Sequence, residues 1–446
     1  GSGIPEIKTI LTGVSLKQYL NFSTLVSKVV GLTFSLGSVM PLGKLGPFVH
    51  VGSATAWCLS KFFPAIQKVC IKMESAYSHV LTAGAAVGVS CIFATPIGGI
   101  MYSIEATATN YATKNFWRCL YGAMVGAISF RLMTTWARSE LATIVPFFKS
   151  DLNHSNAYDE LEILIFIALG VICGLLGALF VFSHQSVVLF VRRRKKLSAW
   201  LQKTRFVYPG VVTLVIFTVL FPAGLGQYMA GQVGFEQSVI HMFDNRTWTS
   251  AEAHNEEELR YLEVWRGPLN NPILTVFLYF IMRATTTLPV PCGIFIPAFT
   301  LGAAFGRLSG EVMAYYFPGG IRGNAISPGA YSIICAAALS GAMSHTVSPS
   351  VIAFEMTGYL GHILPCVISV CVAGAVANFL RPSVYDAIIK IKNLPFLAPV
   401  INPQETKFVK FFFNFSLSRT KVINNSNQEN NDNKANVFRK RLRGDG

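Results

Sequence analysis

VMPLGKLGPFVHVG, residues 39–52, sets two prolines and three glycines around a lysine and a leucine inside a chain that is otherwise strongly apolar. In lipid an unpaired backbone amide is costly, so irregular backbone at membrane depth survives only where protein buries it or where it lines a watery cavity. A helix starting at Gly46-Pro47 would aim its free N–H groups into that cavity, and proline suits the first turn because it has no N–H to lose. Such an end carries roughly half a positive charge and is a ready anion site.

The same device recurs further along. Pro41-x-Gly43-x-x-x-Pro47 is matched by Pro291-x-Gly293-x-x-x-Pro297 in PCGIFIP, every fixed position displaced by 250, with a second helix start expected at Ile296-Pro297. The same displacement carries Glu105-x-Thr107 onto Glu355-x-Thr357. One such motif reads equally well as a kink in a packed helix, whereas two at one offset favour a duplicated membrane architecture. The repeat alone does not say whether the halves are parallel or inverted. Small residues after each break, in VGSATAW and TLGAAFG, allow helices to approach closely.

Composition agrees. The 446 residues are 52% apolar and 13% charged, against about 25% charged in soluble domains. Apolar runs near 22–36, 79–104, 116–136, 161–191, 206–226, 272–291, 293–317, 330–356 and 362–380 predict an all-α polytopic membrane protein. A span needs about 20 apolar residues, so several runs are short, tilted or broken. The net charge of +15 lies largely in RRRKK (192–196) and the tail, which fits placement on the cytoplasmic side of a bilayer better than nucleic-acid binding. That orientation makes the loops before 161 and around 232–266 extracellular, and both carry glycosylation sequons, at Asn153 and Asn245. The nine cysteines have no C-x-x-C pair and read as small packing residues. HNEEE (254–258) reads as a solvated acidic loop and not a metal site. His50 and His345 read as local hydrogen-bond partners flanking helix breaks. No nucleophile–base grouping, phosphate loop or metal spacing supports an enzyme or a cofactor.

The blocks GSGIPE (1–6), GKLGP (43–47) and GIFIP (293–297), followed by a tyrosine in RPSVYDAII, Tyr385, resemble the signature blocks of the CLC family of chloride channels and chloride/proton exchangers, over about residues 1–395. The surrounding sequence is most similar to the animal plasma-membrane channel branch. The resemblance implies two inverted halves of tilted, broken helices and a homodimer with one anion pathway per subunit, its dimer face near 98–134 and 347–380. It implies residues 1–137 as an N-terminally incomplete first half, 138–160 as an extracellular linker and 161–395 as the second half. Residues 396–446 are Asn-rich and read as a disordered cytoplasmic tail.

By the same resemblance chloride is held by the hydroxyls of Ser2 and Tyr385 and the backbone N–H groups of Ile294 and Phe295, with Gly46 at the facing helix start between Gly43 and Pro47. Serine at position 2 implies chloride over nitrate. Lys28, seventeen residues before Leu45, would supply a positive field or else snorkel to the interface, and Lys44 would shape the outer entrance. The family usually has a gating glutamate where Leu45 stands, and exchangers a proton-carrying glutamate where Ala106 stands. Glu105 and Glu355 are read as structural carboxylates satisfied by amides or polar neighbours. The expectation is therefore passive chloride conduction in the plasma membrane, with an accessory membrane subunit as a possible partner. The alternatives are a non-conducting isoform that regulates full-length subunits or, further off, an antiporter. The abrupt GSGIPEIK start and the place of the tail, where relatives carry CBS domains, suggest a chain truncated at both ends.

Overall fold

The computed structural model describes residues 2–14, 16–37, 42–63, 74–108, 115–138, 158–194, 207–221, 223–228, 230–231, 233–248, 256–266, 268, 271, 273–277, 292–320 and 326–395. Residues 397–446 form a separate unit outside that set, as do Pro41, Pro291, Asn153, most of the 138–160 linker and most of the 272–291 run.

Among the described residues the fold is helical. The first half runs through α1 (Ile4–Leu11), α2 (Phe22–Gly37), α3 (Leu45–Phe62), α4 (Glu74–Phe93), α5 (Pro96–Thr107) and α6 (Phe116–Arg138). The second contains α7 (Glu162–Arg193), α8 (Val207–Val219), α9 (Phe235–Met242), α10 (Glu256–Arg266), α11 (Phe295–Tyr316), α12 (Pro328–Ser344), α13 (Ser348–Thr357), α14 (Ile363–Leu380) and α15 (Val384–Lys392). Among the described residues two segments are long and apolar enough to cross a membrane, Glu162–Phe190 and Ile363–Lys392.

Several sequence boundaries are corrected. The motif helices begin at Leu45 and Phe295, one residue before the expected starts. Run 79–104 is two helices, because α4 ends on Ala94 with φ 55° and Pro96 opens α5. Run 330–356 divides after His345, also at φ 55°, at the break expected beside that residue. A left-handed residue closes each first helix by turning its carbonyl end, and proline in the following first turn cannot extend it backwards. His50 lies inside α3 and not at a break. Every residue of α12 is buried, so a helix apolar all round occupies the centre of the bundle. It packs on α11, α14 and α7, with Gly302 and Gly306 admitting its backbone against α11.

The repeated motifs meet in reciprocal contacts. Gly43 N donates to Gly293 O at 3.1 Å and Gly293 N to Gly43 O at 2.6 Å, an antiparallel bridge between residues 250 apart. A Cβ at Gly43 would stand 2.5 Å from the Gly293 oxygen, so only glycine permits the approach. The carboxylates repeat the exchange. Glu355 accepts from the N–H groups of Ile97 (3.1 Å) and Gly98 (2.8 Å) at the start of α5. Glu105, at the end of α5, accepts from Val347 and Ser348, both at 2.9 Å, at the start of α13. Each helix start is thus capped by the carboxylate near the other helix's end, which requires α5 and α13 to run antiparallel. The repeat is inverted.

Candidate functional site

The first turn of an α-helix has N–H groups with no intrahelical partner. In α3 the ladder begins with Phe48 N to Lys44 O and in α11 with Ala298 N to Ile294 O, both 3.1 Å, and neither N-cap side chain caps its own helix start. Pro47 and Pro297 carry no N–H, which leaves the amides of Leu45, Gly46, Phe295 and Ile296 ahead of each ladder. The Gly43–Gly293 bridge holds these starts face to face, and a Cβ on Gly293 would lie 2.8 Å from Gly46 N. Two positive dipole ends repel, and negative charge between them relieves the repulsion.

A third helix start joins them. Gly3 is the N-cap of α1 at φ 91°, and a Cβ there would lie 2.6 Å from that of His50. Glycine is required twice over, by its dihedral and by the contact. This brings Ser2 so close to Gly46 that a side chain at 46 would collide with its hydroxyl. Ser2 Oγ is buried and has no hydrogen-bond partner among the described residues.

Tyr385 lies in the first turn of α15, 2% exposed. Its hydroxyl is 2.5 Å from that of Tyr102 on α5, whose ring meets Phe295 edge-on at 5.1 Å. Ser383 caps α15 by accepting from Asp386 N at 3.2 Å. Asp386 in turn binds Lys8 of α1, and Lys392 of α15 binds Glu6 of α1, both at 2.5 Å. The helices that present Ser2 and Tyr385 are therefore tied by two ion pairs. Ser2 thus adjoins Gly46 and Gly46 adjoins Gly293, while Phe295, two residues further along, meets Tyr102 and through it Tyr385.

Leu45 is fully buried, Ala106 is 3% exposed, and neither side chain can carry a proton. Lys44 is half-buried at the N-cap of α3. Lys28 does not simply snorkel: its Nζ is 2.9 Å from His50 Nδ1. His50 Nε2 lies 2.8 Å from the Tyr19 carbonyl. A carbonyl only accepts, so Nε2 carries the proton, Nδ1 accepts from the ammonium, and the lysine head is fixed beside α3.

Asn245 is half-buried in the turn after α9. That turn is anchored by Arg307 of α11, whose guanidinium donates to the carbonyls of Met242, Asp244 and Arg246. Arg307 also pairs at 2.9 Å with Glu311, both side chains fully buried. Glu311 accepts from Trp248 N at 2.9 Å, and the guanidinium lies 3.9 Å from the Trp248 ring. Sequence reading missed this anchor, although a pair of opposite charges at i, i+4 within an apolar helix was its signal. Tyr102 had none, being one more aromatic in an apolar run.

The sequence model described as Voltage gated chloride channel matches residues 1–378. "Chloride channel protein 1" of Homo sapiens is 46% identical over 435 residues, 96% of this chain and 44% of that protein. "Chloride channel protein 2" of Homo sapiens is 46% identical over 407 residues, 89% of this chain and 45% of that protein. The chain thus spans less than half the length of these relatives. A solved eukaryotic CLC transporter superposes with TM-score 0.67 at 28% identity, covering 90% of this chain and 64% of that one. A slow cyanobacterial Cl-/H+ antiporter does so at 0.66 and 20% identity, covering 88% and 81%, a likeness of fold.

Proposed function

We propose, from the premise that this chain belongs to the voltage gated chloride channel family, that its membrane unit forms a passive chloride pathway without proton coupling. The observation that carries this reading is the buried, unpartnered Ser2 hydroxyl beside converging helix starts. An anion entering there exchanges its water for neutral donors: the Ser2 and Tyr385 hydroxyls, the amides of Ile294 and Phe295, and the Gly46 turn. Dipoles and hydroxyls hold it without a full counter-charge, so it can also leave, and conduction requires both. Lys28 and Lys44 add positive potential.

The absence of coupling rests on side chains. Leu45 cannot compete with the anion as a carboxylate would, and Ala106 offers no proton way-station. As the family implies, the pathway would work within a homodimer in the plasma membrane, with glycans on Asn153 and Asn245 and an accessory membrane subunit as partner. The proposed organisation keeps 1–137 and 161–395 as the two halves around an extracellular linker, followed by a cytoplasmic tail. Exposed Trp117, Tyr121, Met124, Ile128, Leu364 and Phe379 on α6 and α14 suit lipid or a second copy.

Chloride efflux from liposomes holding the purified chain, with and without an imposed pH gradient, tests this. Chloride movement with no accompanying proton flux is expected. Proton movement stoichiometric with chloride, or no chloride movement at all, overturns it.

A further inference from the structure

The contact between Tyr102 and Tyr385 leaves a proton to be accounted for. Their oxygens are 2.5 Å apart, and the residues are 0% and 2% exposed. A phenol has one proton to donate and lone pairs with which to accept, so one of the two protons occupies the bridge. The other points out of it and finds no protein acceptor among the described residues. Leaving a buried donor in that condition is unfavourable, and an incoming anion would relieve it.

Which oxygen carries the surplus proton matters. Tyr102 is held through its ring, edge-on to Phe295 at 5.1 Å and 73°. Tyr385 is held through its helix, by the Lys8–Asp386 and Lys392–Glu6 pairs. With both rings fixed, the hydroxyl protons are the movable parts. We propose that Tyr102 is a positioning residue for the anion site: its hydroxyl donates to Tyr385 Oη and so commits the Tyr385 proton to the anion. Accepting one hydrogen bond polarises the Tyr385 O–H and strengthens it as a donor. With no anion present the bridge can reverse, Tyr385 donating to Tyr102, so the donor is turned toward the pathway only when something negative is there to meet it. This rests on the reading of Tyr385 as a chloride ligand.

The test measures chloride and iodide binding by isothermal titration on the purified full chain, as wild type, Tyr102→Phe, Tyr385→Phe and the double variant. Each protein is first checked for its melting transition and monodisperse elution. Tyr102→Phe keeps the ring against Phe295 and should weaken chloride binding about two- to tenfold. Iodide, a weaker acceptor, should lose less, so the chloride-to-iodide ratio falls. The double variant should match Tyr385→Phe alone, because Tyr102 acts through it. Replacing Tyr102 by 3-fluorotyrosine, a more acidic phenol, should tighten chloride binding, a sign that general loosening cannot produce. If Tyr102→Phe leaves affinity and ratio unchanged while Tyr385→Phe weakens binding, this inference is wrong and the chloride site stands. Additive losses in the double variant also overturn it. If Tyr385→Phe too is silent, the chloride reading itself fails.

Discussion

Replacing Glu355 or Glu105 by glutamine isolates the contribution of the reciprocal caps. Glu355 accepts from Ile97 N and Gly98 N at 3.1 and 2.8 Å, and Glu105 from Val347 N and Ser348 N at 2.9 Å each. Hydrogen bonds to a charged group contribute about 1.5–3 kcal/mol each, and a negative charge at a helix start adds about 0.3–1 kcal/mol. Glutamine keeps one acceptor oxygen but turns an NH2 toward the second backbone N–H, so roughly one charge-assisted bond is lost. The expected cost is about 2 kcal/mol per substitution, somewhat less at Glu105 because it is the more exposed of the two. The carboxylates stand at opposite ends of an antiparallel pair, about 15 Å apart by helix rise, so the double variant should lose close to the sum. Equilibrium unfolding in mixed detergent micelles, followed by far-ultraviolet dichroism, reads these values. If either single variant melts with the parent, or one costs several times the other, the two-fold capping argument is refuted.

Leu45→Glu should give chloride flux a steep dependence on voltage and external pH, measured in planar bilayers; a current as indifferent to pH as the parent's would remove Leu45 from the pathway. Gly43→Ala and Gly293→Ala should each abolish flux and destabilise by at least about 1–3 kcal/mol, since the added Cβ meets backbone at 2.5 and 2.8 Å respectively; normal flux from either would separate the bridge from the site. Burial holds the His241 imidazole below its ordinary range, and its Nδ1 accepts from Trp265 Nε1 at 3.1 Å. Its stabilising contribution is therefore present above about pH 6.5 and is lost as pH falls toward the depressed folded value. Fluorescence of the stacked Trp248–Trp265 pair should change over that acid range and do so less in His241→Gln; identical titrations would show that His241 is not the group responsible.

The long-range frame was legible because a duplicated chain writes the same punctuation twice. Gly43 with Gly293 and Glu105 with Glu355 could be paired by their common offset; the glycines prove to bond each other, and each glutamate caps the helix that carries the other. The sense of the repeat was not legible from spacing, since the offset is the same for parallel and inverted copies; only the antiparallel bridge and the exchanged caps distinguish them. The division after Ala94 escaped reading because a left-handed alanine has no compositional mark, although Pro96 stood close by, whereas the break beside His345, with Pro349 just after it, was legible. Tyr102–Tyr385 and Lys28–His50 escaped because side chains brought together by tertiary packing share no local pattern. Arg307 and Glu311 escaped for a different reason: their charges stand in a run otherwise read only for its small residues.

The paired bonds between Gly43 and Gly293 carry a consequence for ancestry. A half-length forebear could have closed the same two bonds with a second copy of itself, so self-association would have come before fusion into one polypeptide. In the joined chain a change at either glycine would damage both helix starts at once.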